Sequence, residues 1–570
     1  MLKTFYDINI SENGTILKKE ETENYESFQR VKNITTVRTN QTLVDEDKFF
    51  DSNFGSQPVI YLSFKDIQLD CIDSLKLLMI NAFKTRPYLK ISEKLTSEEK
   101  ILFGKFFNAE VSGEHLIESS GGTLAKLLSK HFKKPCILLI DDFDEPAVKL
   151  LTNGSTGEEH NLKIIRNFVN GLFSDKKTVN RAFLTGKTRL AGMYTPPSVT
   201  HYQFTLHSGI TNFFSVANTE LSGLTMNATV LVRLFVLKDF YKGFTTVNST
   251  YTLYDPKTVT ELLESRNHSR LLDSVEFLAQ VLDDKEVRDK VELAIRTWRE
   301  PSSFYITAPK ETDHERCAAT LRKIFKHNAS KSGLELDKPD RNCLFYYLFE
   351  LGYVTFAVSE QIGSEFKLEV PDLAAYYSLG FQLERFWLGH LHTTNATAKD
   401  FVETLMNLDW RVSSFEAFAD SVKMVFKECP HPPTSREDLR SPLFTFLATR
   451  VRDYLLLELR CGDDPDSGLV DLFAETRRSA DHARNDVLLE FVLSNCTRED
   501  FDKNNRTKSW VEFIKTVDPE EYTHNKESLM FLVVEICFNG DDSLEFAFSH
   551  ASKNSIKAHY VFREINRWKS

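Results

Sequence analysis

Residues 136–146 read Cys-Ile-Leu-Leu-Ile-Asp-Asp-Phe-Asp-Glu-Pro, an unbroken apolar run that stops at Asp141-Asp142. A stretch that is apolar at every position, not at alternate ones, predicts a strand buried on both faces of a parallel sheet. Two other runs share this texture, Pro58 to Phe64 (PVIYLSF) and Arg181 to Thr185 (RAFLT). Between the last two, Ile164, Ile165, Phe168, Val169 and Leu172 recur at helical spacing and form one broad stripe. Strand, helix, strand in this order predicts an α/β layer fold.

The chain has 570 residues, so a prior of about 150 residues per domain suggests three or four units. A 41% hydrophobic and 27% charged composition excludes a wholly disordered chain. The net charge of −11 gives no global basic field, so any nucleic-acid surface must be local. The eight cysteines are scattered with no C-x-x-C pair, which argues against a disulfide scaffold or a multi-cysteine zinc module and suits a reducing compartment. The N-terminal MLKTFYDINISENG lacks the apolar run of a secretory signal, and no apolar stretch reaches the roughly 20 residues needed to span a bilayer. The expectation is an intracellular protein, cytoplasmic or nuclear, with no membrane partner.

From about residue 230 to 386 the texture becomes helical with few clean strands, as in LLDSVEFLAQVL and LFYYLFELGYV. HTTNATAKD (His392 to Asp400) reads as a linker. Beyond it, DVLLEFVL and SLMFLVVEICF read as strands and SPLFTFLATRVRDYLLLEL as a helix. This predicts an α/β core over 1–229, a helical middle region over 230–390 and a second α/β region over 391–570.

Carboxylates at the C-terminal edge of a buried strand lie where open α/β sheets bind ligands. In a P-loop NTPase the first acid holds the magnesium shell and the second polarises the attacking water, roles that would fall to Asp141 and Asp142. Asp-rich turns also close buried strands for purely structural reasons. The phosphate cradle GxxxxGK[ST], whose backbone amides and lysine hold phosphates, is absent from these 570 residues. Thr185 to Thr188 reads TGKT, but Arg181 stands where the first glycine is required, and the loop follows the acidic strand. Thr185 and Gly186 are instead candidates for a polar sensor contacting phosphate.

The order VIYLSFKDI, CILLIDDFDEPAV, AFLTGKTRLA resembles an AAA-ATPase-like family whose members often carry a C-terminal PD-(D/E)xK nuclease-like domain. FYKGF (Phe240 to Phe244) is similar to that family's W-Y-N-G-Y, and LYDPKTV (Leu253 to Val259) to its Y-N-P-W-S-[IV]. LFELGYVTF and LEVPDLAAYY resemble its later G-Y-L-T and I-P-N-x-E elements. Tyr241 and Gly243 read as a turn and not as ligands. The resemblance implies ATP and Mg²⁺ as cofactors, on an incomplete P-loop-type parallel sheet core. Family members place G-K-T a few residues before M-L-x-x-F-F-E-I, and this sequence opens at MLKTFYDI. Either an upstream exon carries the phosphate loop or the protein starts here.

Losing four or five charge-assisted hydrogen bonds, each about 1.5–3 kcal/mol, removes most of the ~8 kcal/mol of a micromolar affinity. Asp142 also stands where the family has Glu; a carboxylate withdrawn by about 1 Å can cost ~100-fold in rate. Neither cofactor is expected to bind tightly to this chain.

The C-terminal region carries a second acidic constellation. The resemblance makes Asp486, in ARNDVLLE, the nuclease-like metal aspartate. Such sites pair it with a Glu and a Lys two positions apart on one strand. Glu490 has Val492 where the lysine belongs, and Glu512 and Lys515 are three apart, which needs a bulge to share a face. The candidates are Asp486, Glu490 and Glu512 for metal and Lys515 for catalysis, with nucleic acid as the implied partner of a restriction-nuclease-like domain. Arg477, Arg478 and Arg484 could touch phosphates or form a solvated face. Cys429 and His431 lack further ligands at zinc spacing. The leading expectation is a domain degenerate in nucleotide hydrolysis with a binding or regulatory role. The alternative is an ATP-dependent, magnesium-requiring nuclease whose full-length form contains a P-loop.

Overall fold

The computed structural model describes residues 2–11, 14–22, 24–29, 46–153, 157–202, 216–217, 243–245, 252–254, 256, 259–260, 275–296, 304–307, 314–326, 334–362, 365–409, 411–430, 433, 435–450, 454–457, 472–476, 486–493, 531–539, 543–552 and 555–564. The chain divides into two compact units, the first comprising Met1–Tyr202, Pro309–His327 and Lys338–Leu351 and the second the remainder.

The first unit is built on the three strands read from sequence, β1 (Val59–Ser63), β2 (Cys136–Asp141) and β3 (Val179–Leu184), all parallel in the order β1-β2-β3. Its helices are α1 (Leu2–Tyr6), α2 (Cys71–Lys84), α3 (Ser120–Phe132), α4 (Glu145–Asn153) and α5 (Glu158–Leu172), with shorter ones between them. The stripe predicted over 162–173 is buried in α5 at Ile164, Ile165, Phe168, Val169 and Leu172. Successive side chains of a strand point to opposite faces. On one face of the sheet Ile60, Leu62, Leu138 and Ile140 are at most 2% exposed, and α2 and α3 pack on β1 and β2. On the other, Val59, Ile137 and Leu139 form a small separate cluster against Tyr6 of α1. Full burial of all three strands was expected and only β2 meets it. Tyr61 is exposed on β1, and Asn180, Arg181, Ala182 and Phe183 are exposed on β3.

Away from the sheet, the 3-10 helix Arg189–Met193 leaves the end of β3. Strand β4 (Val216–Ala217) lies at the end of the span read as the core, and in the middle region helical reading alone missed β5 (Phe244–Thr245), β6 (Thr252–Tyr254), β7 (Phe304–Thr307), β8 (Thr355–Ile362) and β9 (Glu365–Glu369). They form two three-stranded antiparallel sheets, and β7, β8 and β9 are paired through β9. The middle helices are α6 (Lys285–Arg296), α7 (His314–Phe325), α8 (Lys338–Glu350) and α9 (Leu373–His390). Cys343 to Phe349 of α8 are all buried, as the aromatic run LFYYLF implied. A disulfide joins Cys317 of α7 to Cys343 of α8, a tie the scattered cysteine spacing gave no sign of. The short helix Leu278–Val281 is all that is helical of the described part of LLDSVEFLAQVL before α6.

The supposed linker is wrong in structure. Asn395–Met406 is helix α10, because Thr394 accepts a hydrogen bond from the Thr397 N–H and caps it. Helices α11 (Val412–Phe426) and α12 (Arg436–Arg450) follow. The single helix expected from SPLFTFLATRVRDYLLLEL splits: α12 ends at Arg450, and Tyr454–Leu457 is strand β10. The Tyr-Leu-Leu-Leu segment is stabilised by long-range pairing to β11 (Leu472–Thr476), which local helical periodicity cannot reveal. The strands β12 (Asp486–Leu493), β13 (Phe531–Asn539), β14 (Ser543–Ser552) and β15 (Ser555–Glu564) complete a six-stranded sheet ordered β10 to β15. Its pairings are antiparallel except between β12 and β13, which run parallel. Phe415 of α11 stacks on Phe548 of β14, with ring centroids 4.5 Å apart.

Candidate functional site

All three strands of the first sheet end on one rim, where β1, β2 and β3 bring Ser63, Asp141 and the start of the TGKT loop together. The Thr185 N–H donates to the Ile140 carbonyl, 2.9 Å, extending the β2–β3 ladder one step past the strand. That step aims the Thr185 hydroxyl at Asp141 Oδ1, 2.5 Å away. The same oxygen accepts from the Asp142 N–H at 3.1 Å, while the Tyr61 hydroxyl lies 3.4 Å from Oδ2. Asp141 and Thr185 are therefore neighbours. Tyr61 was missed; its signal was an aromatic hydroxyl inside an otherwise aliphatic strand, VIYLS.

Asp142 has a left-handed backbone, φ +52°, which turns the chain sharply off the strand. Burial raises the pKa of its carboxyl, and the adjacent negative charge of Asp141 raises it further, with Lys187 and Lys65 opposing. Tyr61 is shifted upward as well, by burial and then by Asp141. Both shifts describe a rim with two acids close together.

Asp144 is the third aspartate of the quoted stretch and received no role from the sequence. It is 3% exposed and is the internal ligand of the TGKT loop. Its Oδ1 accepts from the Lys187 N–H at 3.1 Å, and its Oδ2 from the Thr188 N–H at 2.8 Å and the Thr188 hydroxyl at 2.7 Å. Gly186 is the residue that lets this happen, since a Cβ there would lie 2.6 Å from Asp144 Oδ1. Gly186 therefore serves the loop's own carboxylate contact. The D-x-x-D spacing from Asp141 to Asp144 was the available sequence clue.

Beyond the loop, the Arg189 N–H and Nε both donate to Glu350 Oε1 at 3.1 Å, and the guanidinium lies 3.8 Å from the centroid of the Tyr346 ring. Burial pushes the Glu350 carboxyl up to about 7 against the lowering influence of Arg189. The Tyr194 hydroxyl closes the other side by donating to the Phe143 carbonyl.

The residues present fit the two implied cofactors unequally. Asp141 Oδ2, with only a long hydroxyl contact, could give one oxygen to a magnesium shell, and Thr185 stands beside it. A triphosphate needs converging amides, and the Lys187 and Thr188 amides are already bound to Asp144. Among the described residues no group of three or more His, Cys, Asp or Glu is arranged to hold a metal ion.

Of the C-terminal candidates, Asp486 opens β12 and Glu490 lies on the same strand. Glu490 is the register partner of Glu535 on β13, a position the sequence reading had not considered. Glu512 and Lys515, like Tyr241, Arg477, Arg478, Arg484 and His431, lie outside the described residues. Gly243, which was read as part of a turn, has φ +81°, and its N–H donates to the Pro371 carbonyl at 3.1 Å.

With this geometry in place, residues 22–193 match the AAA-ATPase_like family model, described as predicted AAA-ATPase. The matched segment spans β1, β2, β3 and the TGKT loop, which is under a third of the chain. No curated protein and no solved structure matches. The described helices include none long and apolar enough to cross a membrane.

Proposed function

We propose that this chain uses an AAA-ATPase-like core as a binding or regulatory module without turning over ATP. The observation carrying the reading is the Asp144 carboxylate seated on the Lys187 and Thr188 amides and the Thr188 hydroxyl, 2.7–3.1 Å away. The one loop in these 570 residues with a Gly-Lys-Thr string thus satisfies its donors internally. Asp141 and Thr185 keep the geometry of a metal-and-sensor pair, while the Lys187 and Thr188 amides are turned to Asp144. Titration of the 570-residue chain with Mg-ATP should give no heat of binding and no melting shift at millimolar nucleotide, since ligands that bind only the folded state raise its stability. Magnesium-dependent ATP turnover that Asp141→Ala abolishes would reject the reading.

The six-stranded sheet supports a second reading, a magnesium-requiring nuclease. An antiparallel β10-β11-β12 meander followed by the parallel β12–β13 pair is compatible with a nuclease-like core. Asp486 heads the shared strand, with Glu490 four residues on. Supercoiled plasmid incubated with the chain and Mg²⁺, with and without ATP, tests it. Nicking that is lost in Asp486→Ala favours the nuclease, and its absence under all conditions favours the regulatory reading.

A further inference from the structure

The Cys317–Cys343 bond joins the two helices that grip the end of the TGKT loop, and all of these parts belong to the first unit. On α8, Cys343, Tyr346 and Glu350 stand at i, i+3 and i+7 and share one face. Cys343 takes the bond, the Tyr346 ring lies 3.8 Å from the Arg189 guanidinium, and Glu350 accepts from the Arg189 N–H and Nε. On α7, His314 and Cys317 stand about one turn apart. His314 closes on the same stretch of chain, since a Cβ on Gly192 would lie 2.9 Å from its Cγ. Helix α7 also packs on the 3-10 helix Arg189–Met193 and on α4, which follows Asp144. The 3-10 helix thus sits between two jaws, one on each helix, and the disulfide pins the jaws together.

Cys317 is 4% and Cys343 2% exposed, so a small thiol reaches them only when the structure opens locally. Cys317 lies in the first turn of α7, and helix ends fray. Fraying there lifts His314 from Gly192, so the motion that admits the thiol is the one that frees the 3-10 helix. Among the other described cysteines, Cys71, Cys136 and Cys429 stay free. Burial pushes the Cys71 and Cys136 thiols up to about 12, which leaves both unreactive. A joined pair beside buried free thiols is the pattern of a redox-sensing bond and not of a disulfide framework.

We infer that Cys317 and Cys343 form a reversible thiol switch: joined, they hold the Arg189–Met193 turn and the TGKT loop closed, and reduction by a small thiol such as glutathione loosens both. The step is thiol–disulfide exchange. A small thiolate attacks one cysteine sulfur, the S–S bond breaks, and the other cysteine leaves as a thiolate and takes up a proton. A second small thiolate then attacks the mixed disulfide at the small-molecule sulfur and releases the remaining cysteine. Two small thiols are oxidised to one small-molecule disulfide, and the two electrons reduce the Cys317–Cys343 bond to two thiols. This inference stands apart from the nucleotide reading, because it concerns the order of the loop whatever the rim binds.

Hydrogen exchange on the full chain tests it, first in glutathione disulfide and then in reduced glutathione, with alkylation and peptide mass reporting the state of each cysteine. The Lys187, Thr188 and Arg189 amides are bound to Asp144 and Glu350. They should exchange at least tenfold faster in the reduced chain and recover when glutathione disulfide is restored. A bond that acts only by restricting the unfolded chain would speed the core amides of β2 and leave local opening of the loop as it was. The loop amides should therefore remain at least tenfold faster than those of β2 after reduction. Cys317→Ser with Cys343→Ser should show the fast loop in both buffers. Glu350→Ala, which removes one jaw and leaves the bond, should speed the Arg189 amide with the cysteines still joined. Because the wild-type chain is cycled between its two states, the result stands even if a variant misfolds. Unchanged loop exchange, loop and β2 amides converging on one rate, or a bond that no thiol opens in the folded chain would overturn the inference.

Discussion

Asp144 is the residue on which the rim's local order rests. Replacing it by alanine leaves two amides and one hydroxyl without their acceptor in a site that is 3% exposed. Stranding buried donors costs about 1–3 kcal/mol each when water cannot reach them, and partial relaxation lowers the sum. Asp144→Ala should therefore destabilise the first unit by about 2–4 kcal/mol in urea unfolding, while the exposed Lys176→Ala changes it little. A loss below about 1 kcal/mol would mean the loop holds itself without this carboxylate. Glu350 gives a pH-dependent counterpart. Its folded carboxyl is raised from 4.5 to about 7, so the folded state binds the proton more tightly than the unfolded one. The resulting stability is fully present below about 4.5 and is lost as pH rises through about 7. The change is on the order of 3 kcal/mol at most. Chemical denaturation across this window should lose stability toward neutral pH, and Glu350→Gln should flatten that slope. An unchanged slope in the variant would show that another group sets it.

At the scale of elements, α3 and α5 cross closely because glycines meet at the contact. A Cβ on Gly122 would lie 2.7 Å from the Gly171 carbonyl oxygen, a backbone atom that cannot rotate away. Gly104, in the helix Ser97–Phe107, has nothing within 4 Å of the same position. The two therefore predict opposite signs. Gly122→Ala should cost about 1–3 kcal/mol through overpacking, and Gly104→Ala should add about 0.5–1 kcal/mol through helix propensity. Equal effects at both sites, measured by thermal unfolding, would disprove the crossing. The contrast also explains what sequence could convey. Strands β1, β2 and β3 were legible because continuous apolar runs at Val59, Cys136 and Ala182 need no knowledge of partners, and α5 because its stripe repeats. The end of α12, the strand Tyr454–Leu457 and the sheets of the middle region were not, because each is decided by pairing with residues far along the chain. The cap at Thr394 was available locally and was overlooked in a Thr/Asn-rich stretch that looked like a linker. Asp141 and Thr185 were legible from their place at strand ends, whereas Asp144's role depends on a loop more than forty residues away.

At the scale of the whole molecule, the chain returns to its first unit twice after leaving it, through α7 and α8. Several contacts hold these late helices to the unit's early part and to each other. Arg322 pairs with Glu158 of α5 at 2.5 Å, Arg189 with Glu350 at 3.1 Å, and the Thr320 hydroxyl donates to Asp340 at 2.8 Å. The Cys317–Cys343 bond, spanning 26 residues with Cα atoms 5.2 Å apart, adds a covalent tie between α7 and α8. A loop of that size restricts the unfolded chain by about 3.5 kcal/mol on the chain-entropy account. Its effect belongs to one unit alone, since both cysteines lie in the first. Calorimetry should resolve a transition that falls by several degrees on adding a phosphine reductant, alongside one that does not move. A Cys317→Ser, Cys343→Ser chain should melt like the reduced protein and ignore the reductant. Thiol titration of the denatured wild type should gain at least two groups on reduction. Should reductant leave every transition in place and expose no thiols, the two cysteines are a packed pair without a bond, and the returning helices are held by their buried apolar faces and polar contacts.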